Sequence, residues 1–258
     1  MSIHPTAVIE EGSELGQGVD VGPFACIHEG VVLGDGCRIG PHAVLYGGTT
    51  LGASCTVHAG AVLGDTPQDL AFKGVESFVR VGDRCTLREG VTIHRGTVEG
   101  SSTEVGDDCY LMAFSHLAHN VQLGDRVIMA NGALLGGYVE VGAGTFIGGN
   151  AVVHQFCRVG RLAMLGGASG ASQDVPPFCT IASVERNHLA GLNSVGLRRA
   201  GFTPDERSAL KKAYANLFGS AGNLSAALSE TRAQFPEGPV AEFCDFVETS
   251  KRGVCRPH

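Results

Sequence analysis

Aliphatic residues recur along this chain every six positions. Counted from Ile3, the blocks open on Ile9, Leu15, Val21, Ile27, Leu33, Ile39, Leu45, Leu51, Val57 and Leu63. The same phase returns at Val81, Leu87 and Ile93, and again from Val105 through Leu117, Leu135 and Val153 to Leu165. The second position of a block is often glycine, and the fifth is small or β-branched, as in Ala7, Ser13, Val19, Ala25 and Cys37. A period of six matches neither an amphipathic helix nor an alternating strand. It predicts a parallel β-helix in which each hexapeptide is one short strand plus a turn. Three such faces make a coil of 18 residues, with the aliphatic residue filling the prism and the small fifth residue tucked near a corner. The second-position glycines are read as turn residues that tolerate positive φ. Roughly eight or nine coils, stacked ~4.8 Å apart, make a rod of ~40 Å.

Two interruptions, at 66–80 and 99–104, preserve the phase and are expected as loops thrown out of the prism. Loops on a rigid scaffold are a favoured place for function. Past Pro176-Pro177 the period fails. Thr203-Pro204-Asp205-Glu206 is a helix start, with Thr as N-cap, Pro at N1 and Glu at N3. Helices are expected from there to Phe218, from Leu224 to Phe235 and from Pro239 to Lys251. The division is therefore a mainly β unit, a parallel β-helix over 1–188, and a small α-helical unit over 189–258 that caps its open end.

Composition narrows the class. The 38 glycines follow no collagen rule, and a charged fraction of 17% with 43% hydrophobic residues excludes a disordered chain. No apolar run is long enough to span a bilayer, so no integral membrane segment is expected. No signal peptide is visible at the start, which favours a cytoplasmic setting with free thiols. The net charge of −7 argues against a nucleic-acid partner. Of the nine cysteines, Cys37, Cys55, Cys85, Cys109 and Cys157 occupy the fifth position, where cysteine is a small buried hydrophobe. Cys26, Cys179, Cys244 and Cys255 lack metal-ligand spacing.

Ten histidines stand out against this aliphatic background. His119 and His154 are one residue short of two coils apart, which puts them near one edge and roughly 10 Å apart along the axis. His116 falls on the preceding face or corner. A lone imidazole there suits a general base that activates a hydroxyl or amine toward an acyl donor, with a backbone N–H near glycine at the oxyanion. Three histidines from adjoining chains also suit Zn²⁺ and water activation, as in the γ-carbonic anhydrases. A non-catalytic scaffold is the third possibility, and the repeat alone is compatible with all three.

The segment Ile93-His94-Arg95-Gly96-Thr97 resembles the corresponding motif of the LpxA family, the acyl-ACP–UDP-N-acetylglucosamine O-acyltransferases of lipid A synthesis. So do Ser115-His116-Leu117-Ala118-His119, Val153-His154-Gln155-Phe156-Cys157, Gln173-Asp174-Val175-Pro176-Pro177 and Gly196-Leu197-Arg198-Arg199-Ala200-Gly201-Phe202. The resemblance runs nearly end to end. It implies a cytoplasmic homotrimer with sites between subunits, needing no cofactor and no metal, that moves a 3-hydroxyacyl chain from acyl carrier protein to the 3-hydroxyl of UDP-N-acetylglucosamine. It implies His119 as general base, with Asn120 beside it, and Gly137 as the oxyanion donor. His116, Tyr138, His154 and Gln155 match substrate-contacting positions, and Asp69 the loop acid that holds the acceptor sugar. Asn193 and Arg199 match groups near the nucleotide, and Gly167 the floor of the acyl groove.

Departures are specific. The family's lysine after the loop acid is Ala71 here, with Lys73 displaced by two. Its second histidine is Tyr138, its acid after the catalytic histidine is Asn120, and its glutamate near the nucleotide is Val195. The stretch Ser183–His188 also differs. The His119-Asn120 pair resembles LpxD, the related N-acyltransferase, which keeps an amino-sugar nucleotide open as acceptor. Arg198, Arg199, Lys211, Lys212, Lys251 and Arg252 gather in the tail and suit either a solvated helical face or a docking patch for the acidic carrier protein.

Overall fold

The computed structural model describes residues 1–219 and 223–257. Three sheets of 11, 9 and 8 strands, parallel except for the last strand of the first, form the faces of a prism visited in turn by the chain. The first face begins with Ser2–Ile3, the second with Val8–Ile9 and the third with Glu14–Leu15. Each strand pairs with the one a coil later: Ser2 opposite Asp20, Val8 opposite Cys26, Glu14 opposite Val32. The winding is that of a left-handed parallel β-helix. Stacking satisfies the backbone from coil to coil, so two-residue strands persist that would be unstable alone.

The first and fifth positions point inward as the period predicts. Ile27, Leu45, Leu63, Leu117 and Leu135 are buried, as are Ala25, Cys55 and Cys157. Both interruptions keep the phase because their surplus is a whole number of hexapeptides. Thr56 pairs with Thr86, and Thr86 with Tyr110, where an uninterrupted coil would pair residues 18 apart. The excursions are placed differently from the expectation of 66–80 and 99–104. Strands Phe78–Val81 and Ser102–Val105 pair over four residues, Phe78 opposite Ser102 through Val81 opposite Val105. The first excursion therefore ends before Phe78, and the second has given way to strand by Ser102.

The glycines act otherwise than expected. Left-handed φ values fall on the fourth position, at Gly12, Gly18 and Gly36, and also at Phe24, Asn120 and Tyr138. Apart from Gly64, whose φ of +80° is left-handed as expected, the second-position glycines answer a different need, the close approach of stacked coils. A Cβ on Gly34 would lie 2.7 Å from the backbone N of Ala53, and one on Gly106 2.7 Å from that of Asp125. No side chain fits there, whatever its φ preference.

The tail closes the far end. Leu189–Leu192 pairs antiparallel with Cys179–Ile181, extending the first face. A short helix not anticipated from the sequence, α1 (Ser194–Arg199), follows, capped by Asn193. Helix α2 (Pro204–Phe218) carries the predicted capping box: Thr203 accepts from Glu206 N, and Glu206 accepts from Thr203 N. Helices α3 (Leu224–Gln234) and α4 (Gly238–Glu248) complete it. Helix α4 stops short of Lys251 because the chain turns back to the prism, where Ser250 Oγ donates to Asp174 Oδ2 at 2.8 Å. Val254 and Arg256 then bridge to Asp174 and His188. No helix among the described residues is long and apolar enough to cross a membrane.

Candidate active site

The edge where the second face turns into the third gathers most of the singled-out residues. Three successive coils turn there through Ala118-His119-Asn120, Gly136-Gly137-Tyr138 and His154-Gln155-Phe156. The stacked third positions are His119, Gly137 and Gln155; the fourth are Asn120, Tyr138 and Phe156, with φ of 59°, 59° and 64°. Left-handed backbone costs a non-glycine residue about 1 kcal/mol. Neighbouring contacts offset this: Tyr138 N donates to His119 O at 3.0 Å, and its ring stacks on Phe156 at 5.1 Å. The Tyr138 ring also meets the His119 imidazole edge-on at 5.2 Å.

Gly137 lies beneath that imidazole. A Cβ there would collide with Cε1 and Nε2 of His119, so only glycine lets the ring settle. Its N–H is also uncommitted. The same turn position holds Pro5, Pro23 and Pro41, which have no N–H at all, so the ladder does not need this donor. On other coils an aspartate one coil later accepts it, as Asp35 does for Gln17 at 2.7 Å and Asp83 for Ala53 at 2.8 Å. The next coil offers Gln155 instead, and among the described residues the Gly137 N–H has no acceptor. A free donor beside a free imidazole edge is the pairing that acyl-transfer chemistry requires.

Asn120 orients the ring. Its Oδ1 lies 3.2 Å from His119 Nδ1 and accepts from Thr97 N and Thr97 Oγ1, both at 3.0 Å. Its own N–H donates to Thr103 Oγ1 at 2.8 Å. Thr97 closes the Ile93–Thr97 motif but was not itself singled out from sequence; it lies in the irregular segment between strands Thr92–His94 and Ser102–Val105, so the second excursion begins earlier than expected.

His116 stands on the strand leading into this edge. Thr92 Oγ1 is 2.7 Å from its Nδ1, and its ring meets His94 edge-on at 4.8 Å. Burial, together with neighbouring His94, pushes the His116 imidazole down to about 4. Burial also lowers His94, with Asp65 opposing and His119 adding to the effect. His94 is 6% exposed and its Nδ1 has no hydrogen-bond partner. It belongs to this cluster although only its motif, not the residue, was singled out from sequence.

His154 lies on the same edge two coils from His119. Its Nδ1 is 3.0 Å from Gln155 O and 3.5 Å from Arg252 of the returning C-terminus. Lys251 and Arg252 line a hollow there with Asn120, Tyr138 and Phe156. Lys211 lines a separate one beside Leu192 and Leu197, so the basic residues of the tail do not form one patch. Asp69 and Lys73 ride on the first excursion, which leaves the same edge. There Asp69 Oδ1 accepts from Ala71 N at 2.9 Å, and Phe72 lies under the Arg95 guanidinium at 5.6 Å.

The other candidates stand elsewhere. Gly167 follows Met164–Leu165 on the first face, at the edge leading to the second. Asn193 caps α1 and its Nδ2 donates to Leu162 O at 2.9 Å, at the edge between third and first faces. Arg199 ends α1, exposed. Within one chain the candidates thus occupy three different edges. Among the described residues no three His, Cys, Asp or Glu side chains are grouped to hold a metal ion.

Fold and edge together define a hexapeptide-repeat transferase. The family models agree: "Udp N-acetylglucosamine O-acyltransferase; Domain 2" matches residues 174–255, and the bacterial transferase hexapeptide model matches 30–65 and 102–137. Among curated proteins, the acyl-[acyl-carrier-protein]–UDP-N-acetylglucosamine O-acyltransferase of Anaeromyxobacter sp. is 43% identical over 104 residues, 40% of each chain. That of Burkholderia mallei is 46% identical over 109 residues, 40% of this chain and 41% of that one. These alignments thus span well under half of the curated relatives' length. Solved structures match throughout. The UDP-N-acetylglucosamine acyltransferase of Campylobacter jejuni is 37% identical over all of both chains, with a TM-score of 0.93. LpxA of Bacteroides fragilis is 36% identical over 98% of this chain and 100% of its own, with a TM-score of 0.94. The chain belongs to the UDP-N-acetylglucosamine acyltransferase family, LpxA.

Proposed function

We propose that this protein transfers a 3-hydroxyacyl group from acyl carrier protein to the 3-hydroxyl of UDP-N-acetylglucosamine, the first step of lipid A biosynthesis. One observation carries the reading: the imidazole of His119 packs against the Cα of Gly137, so closely that no Cβ fits between them, and the N–H of that same glycine has no acceptor among the described residues. Nε2 of His119 takes the proton of the sugar hydroxyl as its oxygen attacks the thioester carbonyl. The tetrahedral oxyanion is met by the Gly137 N–H. Collapse forms the ester and expels the carrier's thiolate, which recovers the proton from the imidazolium. Neutral, buried His94 and His116 keep competing positive charge away from the base. His116, Tyr138, His154 and Gln155 border the substrate path, and Asp69 with Lys73 reaches over it from the first excursion.

The working form in this reading is a homotrimer. Gly167, Asn193 and Arg199 lie on edges that cannot meet His119 within one chain, and a threefold assembly brings edges of different copies to a common seam. The faces support this. Outward positions of the third face are mostly charged, with Glu14, Arg80, Glu104, Glu140 and Arg158 beside Val32, Thr50 and Gln122. Those of the second include Val8, Val44, Val62, Leu134 and Val152, and of the first Ile128, Phe146 and Met164. Leu134 at 42% exposed and Val152 at 39% are a surface that water disfavours. Nine free thiols fit a cytoplasmic location.

Product mass spectrometry with mixed 3-hydroxyacyl-ACPs tests the reading. Supplying UDP-N-acetylglucosamine and its 3-amino analogue together is expected to give the ester. Exclusive amide formation would transfer the assignment to the N-acyl chemistry that His119-Asn120 resembles; no acyl transfer to either acceptor would remove it.

A further inference from the structure

An asparagine beside the base poses a problem that a carboxylate does not. A carboxylate accepts a hydrogen bond at either oxygen. An amide accepts at one end and donates at the other, so its orientation decides the tautomer of the ring it touches. With the oxygen toward His119, Nδ1 must carry the proton and Nε2 is left with a lone pair. With the amide turned over, Nδ2 donates to Nδ1, the proton moves to Nε2, and the ring has no base to offer.

The second excursion settles this orientation from both sides. Thr97 N, which can only donate, lies 3.0 Å from Asn120 Oδ1. Thr97 Oγ1 donates to the same oxygen at 3.0 Å, while its remaining contact, Tyr138 OH at 2.9 Å, is free to donate into it. At the other end, Asn120 Nδ2 lies 2.9 Å from Ser101 Oγ. That hydroxyl has already spent its proton on Val98 O at 2.6 Å, so toward Asn120 it is purely an acceptor. Turning the amide over would set donor against donor at Thr97 and acceptor against acceptor at Ser101.

We propose that the second excursion is an orienting clamp for the catalytic imidazole, with Thr97 and Ser101 as positioning residues that hold the Asn120 oxygen toward Nδ1 of His119 and leave Nε2 as the base. The inference deepens the acyl-transfer reading and rests on His119 being its base. It gives the excursion a task that the bare repeat does not require, and explains how a chain lacking the acidic partner keeps its histidine in one tautomer.

The test pairs kinetics with a direct view of the ring. In the Thr97→Val/Ser101→Ala double variant, kcat is expected to fall at least fivefold with KM for acyl-ACP and for the UDP-sugar each within twofold. Thr97→Ser, which keeps the hydroxyl, should retain activity. Adding Asn120→Asp to the double variant should recover most of kcat, because a carboxylate needs no clamp. An unchanged kcat in the double variant overturns the proposal. So does a loss that Asn120→Asp fails to recover while circular dichroism shows a folded protein. ¹⁵N-histidine NMR at pH 8 reads the tautomer whether or not acyl transfer occurs. It should show Nδ1–H at His119 in the unaltered protein and a proton shared between both nitrogens in the double variant. An Nε2–H ring in the unaltered protein overturns the clamp. The expected tautomers without acyl transfer to any acceptor would leave the clamp standing and remove the acyl-transfer reading instead.

Discussion

The imidazole of His119 rests on Gly137, one coil further along, so closely that a single methyl group on that glycine would occupy the space of Cε1 and Nε2. In the proposed mechanism, base and oxyanion donor are therefore set by one packing contact. Gly137→Ala should push the ring off the edge and cover the N–H, lowering kcat by about 10²-fold or more. His119→Ala leaves the donor and removes the base, for a loss of about 10²- to 10⁴-fold. Both lie on a turn outside the aliphatic core of the prism, so circular dichroism spectra should match the unaltered protein. Activity within a few-fold of normal in either variant would remove that residue from the mechanism.

His94 and His116 make stability depend on pH. Burial holds His116 at about 4, while an unfolded histidine titrates near 6.5. Between those values the unfolded chain binds the proton and the folded one does not, so stability falls as pH drops from about 6.5 to 4 and is fully present above 6.5. The contribution of His116 is on the order of 3 kcal/mol. His116→Gln should flatten the curve of Tm against pH over that window. Parallel curves for the two proteins would show that the ring is not held neutral by the fold.

Much of this arrangement is legible because the repeat is local. Once the phase is known, every residue from Ile3 to Leu165 outside the two excursions has an inward, outward or turn position, and the aliphatic core and the buried thiols follow. The shared edge of His119, Gly137 and Gln155 is arithmetic on coils of 18. The clamp is different. Thr97 and Ser101 reach Asn120 across 23 and 19 residues from irregular backbone, which no period describes. The role of the glycines was equally hidden. Recurrence marks a position where a side chain is forbidden, but whether φ or a neighbouring coil forbids it depends on how closely coils stack. Helix α1 was missed because six residues are too few to show a period.

The thiols should be inert in the native state. Cys37, Cys55, Cys85 and Cys109 stack along the edge between third and first faces, each Sγ donating to a glycine carbonyl, as Cys55 does to Gly82 O at 3.0 Å. Thr145 takes the same role further along, with Oγ1 donating to Gly160 O at 3.0 Å. Burial pushes the Cys255 thiol up to about 12 and holds that of Cys179 well above the usual thiol range. Of nine cysteines only Cys26 is not buried. A disulfide-exchange reagent at pH 8 should titrate at most one thiol rapidly in the native protein and nine after denaturation. Two or more fast thiols would contradict the tight stacking of this edge.

Two glycines separate the two reasons for glycine in this fold. Gly18 has φ of +69° and nothing within 4 Å of an added Cβ. Gly18→Ala should cost only the left-handed strain, about 1 kcal/mol, and Gly18→Asn less, since asparagine tolerates that conformation as it does at Asn120 and Asn150. At Gly34 the added carbon would meet the backbone of Gly52 and Ala53 in the next coil, and backbone cannot turn aside as a side chain can. Gly34→Ala must open the stack, which breaks ladder hydrogen bonds as well as packing, for a loss of about 3 kcal/mol or more. Denaturant midpoints at one fixed protein concentration compare them, so that any subunit dissociation weighs equally on each variant. Equal losses at Gly18 and Gly34 would mean that the coils can separate freely, and the close-stacking account of the second-position glycines would fall.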